Sequence, residues 1–172
     1  VMEARTEGAT TTYYVKIGPG DYSSYLSSTF ANKKEIEDAD AYIKDIRNQV
    51  MSILGPYNNA MKIKVVNEWM IDNLSYENIE GNNNKYNLYG AIVETKVVCE
   101  GYARMFKYIM DGLNIPCILV SGTATNSEGE TELHAWNYVE LNGQWYAVDV
   151  TWNDPVVIGE GELTESQKSK YL

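Results

Sequence analysis

The dipeptide Asn142-Gly143 divides two strand-like runs, "LHAWNYVEL" (Leu133 to Leu141) and "QWYAVDVTW" (Gln144 to Trp152). A two-residue turn that respects the right-handed twist of paired strands needs positive φ at its centre, which Asn and Gly adopt at little cost. The dipeptide therefore predicts a tight hairpin with a fixed register. Leu141 lies opposite Gln144, Tyr138 opposite Ala147, Trp136 opposite Asp149 and His134 opposite Thr151. Opposed residues share a face of a sheet. One face then carries His134, Trp136, Tyr138, Trp145, Ala147, Asp149 and Thr151, and Asn137 points the other way. A slip of one residue would send Asp149 to the far side, so the turn chemistry decides which side chains meet.

His134 is the only histidine in the chain. Taken singly, a histidine in an apolar run is most often a hydrogen-bonded core residue, and an aspartate a turn or cap carboxylate. Their joint placement carries more. His134 and Asp149 are diagonal neighbours, about 7–8 Å apart at the backbone and within side-chain reach. A carboxylate flanked by Val148, Val150 and Trp152 is costly to bury without a partner, and an imidazole N–H supplies one.

Upstream, the hydrophobic period changes to that of helices. Ile36, Ala39, Ile43, Ile46, Val50 and Leu54 recur at steps of three or four, and Gly55-Pro56 closes that segment. A second helix is expected over 60–74, with Ile63, Val66, Met70 and Leu74 on one face. "NIEGNNNKYN" (Asn78 to Asn87) reads as loop, and "LYGAIVE" (Leu88 to Glu94) as a short helical turn. A third helix begins near Cys99, lined by Ala103, Phe106, Met110 and Leu113, with Gly112 and Pro116 at its exit. "CILVSG" (Cys117 to Gly122) is a strand, and "TATNSEGETE" a polar loop before the hairpin. Residues 1–32 read as a loose N-terminal segment with one strand in "TTTYYVKIG" (Thr10 to Gly18), and 33–172 as a single domain. Helices followed by antiparallel strands argue for an α+β fold rather than a doubly wound parallel sheet.

Cys99 opens the third helix, after Val97-Val98. The first N–H groups of a helix and its dipole favour a thiolate there. The dipole is worth about 0.3–1 kcal/mol, too little alone to hold a nucleophile ionised at neutral pH, so a cationic partner such as His⁺ is needed. An isolated cysteine is more often a small core residue, and Cys117, inside "PCILV", fits that description. With Cys99, His134 and Asp149 the sequence holds the types that make a nucleophile, a base and a group that orients the base.

Composition removes other classes. With 14 Lys+Arg against 24 Asp+Glu the net charge is −10, and no basic stripe offers a phosphate-binding surface, so neither nucleic acid nor an anionic membrane is an expected partner. No apolar run reaches membrane-spanning length and no signal peptide is visible. Two cysteines and one histidine fit no zinc pattern, and a redox pair of Cys99 with Cys117, one at a helix start and one on a strand, is disfavoured. No metal and no cofactor is expected.

Three motifs, "YGAIVETKVVCEGYARMF" (Tyr89 to Phe106), "LNIPCILVSG" (Leu113 to Gly122) and "HAWNYVELNGQWYAVDVTWNDP" (His134 to Pro155), resemble the transglutaminase-like superfamily within the papain-like cysteine proteinase fold. "IKVVNEWMIDNLSYE" is similar to the helix that precedes them, and the likeness covers about 63–155. It implies Cys99 as nucleophile, His134 as base and Asp149 as orienter. It implies packing roles for Gly101 and Tyr102, and strand-shaping roles for Trp136, Asn137, Trp145, Tyr146 and Trp152. Similar proteases and animal transglutaminases carry Gln at or shortly before the nucleophile. Here Val98 precedes Cys99, so only the Cys99 N–H is named as an oxyanion donor. Similar domains continue into a further strand after "TWNDP", whereas this sequence ends in "GELTESQKSKYL".

The resemblance implies acyl transfer through a thioester on a peptide or protein substrate, with hydrolysis expected over crosslinking and the substrate at a bacterial surface or cell wall. The competing expectation is a non-catalytic module whose aromatic face binds peptide or cell-wall polymer around a relic triad. An extracellular or cell-surface location fits the acidic, Tyr- and Asn-rich composition.

Overall fold

The computed structural model describes residues 2–15, 18–125 and 129–154. Lys16 and Ile17 of the expected first strand, the centre of the polar loop at 126–128, Pro155 and the "GELTESQKSKYL" tail lie outside the described residues.

The chain starts with an antiparallel hairpin, β1 (Met2–Glu7) and β2 (Thr10–Val15), with Glu7 opposite Thr10. The sequence pointed to one strand here. β1, "MEARTE", lacks the β-branched and aromatic density that marks a strand, and pairing with β2 rather than propensity makes it one. Further on, Tyr25 and Leu26 pack against the core and Ser27 is buried.

Helix α1 (Lys33–Ile53) starts at Asn32, whose side chain accepts the N–H of Glu35 while Glu35 accepts from Ala31 N and Asn32 Nδ2. Helix α2 (Asn59–Asn73) is capped the same way by Asn58. Both bury the expected faces, Ala39, Ile43 and Val50 on one and Ile63, Val66 and Met70 on the other. Two short strands follow, β3 (Ser75–Tyr76) and β4 (Lys96–Val97), joined in parallel with Tyr76 opposite Val97. Two residues are too few for a periodic signal, and the sequence did not reveal this bridge. Between them, a 3₁₀ turn covers Asn83–Tyr86 and a π turn covers Gly90–Glu94, the latter where a short helical turn was expected.

Helix α3 (Cys99–Gly112) is the central element, with Tyr102, Phe106, Ile109 and Met110 fully buried. It ends through Asn114 in a left-handed conformation at φ 54, and Gly112, expected at the exit, is its last helical residue. Strands β5 (Cys117–Thr125), β6 (Thr131–Leu141) and β7 (Gln144–Val148) form an antiparallel sheet in that order. β5 and β6 are longer than the sequence suggested, because their pairing continues to Thr125 opposite Thr131. Asn142 and Gly143 take φ of 55° and 79° and put Leu141 opposite Gln144, as the turn chemistry demands.

The expected last strand is cut short. Pairing stops at Val148 opposite Asn137, and Asp149 caps a four-residue helix, α4 (Val150–Asn153). A capping bond from Trp152 N to Asp149 Oδ1, 3.1 Å, replaces the ladder. Aspartate is among the side chains that most readily make this exchange.

α3 lies against the inner face of the sheet, where Asn137 Nδ2 donates to Ala103 O at 3.1 Å beside buried Cys117 and Val139. The start of α3 is fixed by a close approach. A Cβ at Gly101 would stand 2.5 Å from Val97 Cβ and 2.8 Å from Lys85 O. The latter is backbone and cannot turn aside. Gly101→Ala is expected to cost at least 1–3 kcal/mol, the range of overpacking, and urea unfolding monitored by Trp fluorescence measures it.

Candidate active site

Cys99 is the first residue of α3. Its neighbour Val98 is an extended N-cap with no side-chain cap, so no oxygen from Val98 competes for the first-turn N–H groups. The entry is pinned by Val98 N donating to Lys85 O at 3.1 Å and by the β3–β4 bridge just before it. The thiol is partly accessible, whereas Cys117 is buried, and both are free.

His134 stands on β6 opposite Gly122 of β5, with 3% of its side chain exposed. Its Nε2 meets Asp149 Oδ2 at 2.7 Å. The Cys99 thiol also acts on the imidazole and favours its protonated form. With Nε2 committed to Asp149, Nδ1 is the nitrogen left for the sulfur. The Trp152 ring lies 4.6 Å from the imidazole at 22°, and the Trp136 ring 6.0 Å away at 18°. Both indoles are close to parallel with the ring and keep water from it.

The three residues singled out in the sequence thus meet in space. The contact between His134 and Asp149 arises at the end of the hairpin rather than along it, because Asp149 reaches the ring from the cap of α4. Asn137, which the hairpin register turns away from His134, points into α3. Trp136 and Trp152 touch the imidazole directly, whereas Trp145 and Tyr146 remain about half exposed.

Burial pulls the His134 pKa down, but the Asp149 bond and the Cys99 thiol more than reverse this and hold it at about 9. The imidazole is therefore cationic at neutral pH. Cys117 is the opposite case, since burial pushes its thiol up to about 12.

Tyr76 was not foreseen. Its ring stacks on Tyr102 at 6.5 Å and 27°, and the β3–β4 bridge aligns it with the entry to α3. Burial raises its pKa, and the charges of Cys99 and then Glu132 add to this. The signal in the sequence was only a Tyr at the close of "IKVVNEWMIDNLSYE". No cluster of His, Cys, Asp or Glu with metal-binding geometry occurs among the described residues.

His134 provides a single-residue readout, since its ring protons are the only imidazole resonances in the protein. An NMR titration is expected to give a pKa near 9, against ~6.5 for an unstructured histidine. The folded state holds this proton more tightly. Its contribution to stability is full below about 6.5 and is lost as pH rises through about 9. Urea midpoints are expected to fall across that window, and to fall less in Asp149→Asn.

The Transglutaminase-like superfamily model matches residues 44–150. The kyphoscoliosis peptidases of mouse and human are each 25% identical over 157 residues, covering 81% of this chain and 23% of their own length. The chain thus spans about a quarter of these curated relatives. Among solved structures, a TGase superposes with a TM-score of 0.58 at 16% identity, covering 86% of this chain and 40% of its own. A candidate cysteine protease from Cytophaga hutchinsonii gives 0.51 at 18% identity, covering 74% and 45%. These likenesses establish a papain-like, transglutaminase-like fold, and with the family match over most of its length the chain belongs to the transglutaminase-like superfamily, whose catalysis is generally cysteine-based.

Proposed function

We propose that this domain is a cysteine-dependent acyl-transfer enzyme that hydrolyses peptide or protein amides through a thioester on Cys99. The observation that carries the reading is the imidazole of His134, bonded to Asp149 at 2.7 Å and held protonated by that carboxylate and by Cys99, which opens a helix.

Cys99 attacks the substrate carbonyl as a thiolate beside the His134 imidazolium. The oxyanion is met by the Cys99 N–H and by the Tyr76 hydroxyl, the side-chain donor that the residue before Cys99 does not supply. As the tetrahedral intermediate collapses, His134 gives its proton to the departing amine and the thioester remains. His134 then removes a proton from water, hydroxide adds to the thioester, and the carboxylic acid leaves as the Cys99 thiolate is released beside the imidazolium. Asp149 keeps the ring in place through both halves.

Water is favoured over an amine as second nucleophile because the rim is open. Tyr76 is 41% and Trp152 44% exposed, and an acceptor site for lysine works by shutting water out. The relatives' names, a peptidase, a TGase and a candidate cysteine protease, agree with thiol-based acyl chemistry. The acidic composition supports an extracellular or bacterial cell-surface setting with a cell-wall-associated substrate. Among the described residues no helix is long and apolar enough to cross a membrane.

Three measurements test this. Iodoacetamide at pH 7 is expected to label Cys99 at least tenfold faster than Cys117, with His134→Ala removing most of the difference; equal rates would end the enzyme reading in favour of a binding module. Incubation with a peptide library and acid quench is expected to trap an acyl adduct on Cys99, detected by mass spectrometry and absent in Cys99→Ala. Tyr76→Phe is expected to lower kcat by about 10²-fold, the usual loss for one oxyanion donor, with KM little changed.

A further inference from the structure

Asp149 is aimed by a helix too short to hold itself. α4 has four residues, and so short a helix has almost no stability of its own. Two polar bonds from other helices seat it. The Tyr102 hydroxyl on α3 donates to Asp154 Oδ2 at 2.6 Å, and Asn153 Nδ2 donates to Asn67 Oδ1 on α2 at 3.0 Å. Tyr102 is wholly buried and Asn67 nearly so. Within the turn, Asn153 N bonds Asp149 O and Asp154 N bonds Val150 O, each at 3.0 Å. A displacement at 153–154 therefore travels through these bonds to Asp149, directly from Asn153 and by way of Val150 from Asp154.

We propose that Tyr102 and Asn67 form a latch: as positioning residues they fix the α4 turn against α3 and α2, so that Asp149 Oδ2 meets His134 while Oδ1 remains the helix cap. The proposal rests on the reading of Asp149 as the group that orients His134, and it gives Tyr102 a task beyond packing. Tyr102 follows Cys99 by three residues on α3, so one helix carries both the nucleophile and the bond that seats the orienter. Asp154 is a costly choice for a mere filler. Its carboxyl is raised by burial, lowered by the Tyr102 hydrogen bond and raised by Asp72, so the phenol is what supports its charge. With Phe at 102 the carboxylate must find water or a proton, and the turn has nothing to hold it to α3.

The test uses His134 as a reporter and needs no substrate. NMR titration is expected to show the His134 pKa falling by about one unit in Tyr102→Phe, a tenfold weaker hold on the proton, and by more in Asp149→Asn. Adding Tyr102→Phe to Asp149→Asn is expected to change nothing further, since the latch acts only through that carboxylate. Asp154→Asn, which retains an acceptor for the phenol, should stay close to wild type, and Asp154→Ala should match Tyr102→Phe. An unshifted titration in folded Tyr102→Phe, or a shift equally large in the Asp149→Asn background, would overturn the proposal. Should Tyr102→Phe not fold, Asp154→Ala and Asn67→Ala decide it in the same way. A shift in Tyr102→Phe with no acyl adduct on wild-type Cys99 would support the latch and sink the enzyme reading; an adduct with no shift would do the reverse.

Discussion

The site depends on how one carboxylate divides its two oxygens. Asp149 Oδ1 accepts the Trp152 N–H and starts α4, while Oδ2 meets His134 Nε2. The first bond fixes the second, because an aspartate committed to a helix cap has little rotational freedom left. The same cap brings Trp152 round so that its ring lies on the imidazole. One residue thereby ends β7, begins α4, orients the ring and positions the indole that shields it. The shielding matters energetically. Burial alone would leave His134 neutral, and only the adjacent carboxylate and thiol make the cation affordable in a dry pocket.

How much of this was legible in the sequence varied with the physical scale of the signal. The hairpin register followed from Asn142-Gly143 because a two-residue turn admits few geometries, and the helix faces followed from a period repeated over many residues. The meeting of His134 with Asp149 was also legible, but by a route that is only half right. Extending the ladder to Trp152 put the two residues on one face, whereas the chain leaves the ladder after Val148. The competing local interaction was present in "DVTW", an aspartate three residues ahead of the N–H it caps, and strand propensity from Val148, Val150 and Trp152 masked it. Tyr76 and the β3–β4 bridge were not legible at all. A two-residue parallel pair has no period, and its strands are separated by the long Asn-rich loop, so only the tertiary structure brings Tyr76 to Cys99.

That loop has a part in the site despite carrying none of its three central residues. Lys85 is buried with its Nζ bonded to Asn78 Oδ1 and Ile79 O, and its backbone carbonyl receives Val98 N. Asn82 and Asn84 each donate to Glu94. The loop is thus fastened at both ends, and it holds the entry to α3 where Gly101 allows Val97 and Lys85 to come close. A less constrained loop would let the helix start shift, and the influence of the helix dipole at Cys99 with it, because that influence fades within the first turn.

These constraints explain why the site is rigid on one side and open on the other. Cys99, His134 and Asp149 are held by α3, β6 and the capped turn, each anchored to a buried partner. Tyr76 and Trp152, at the rim, leave nearly half of their surface to solvent. On the proposed acyl-transfer reading, rigid chemistry beside an open rim favours water as second nucleophile, since water needs no binding site of its own, over an amine that must outcompete it. Selectivity between hydrolysis and transfer in such a site is therefore a matter of what covers the rim rather than of the three central residues, and changing those residues alone would alter the rate without altering the product.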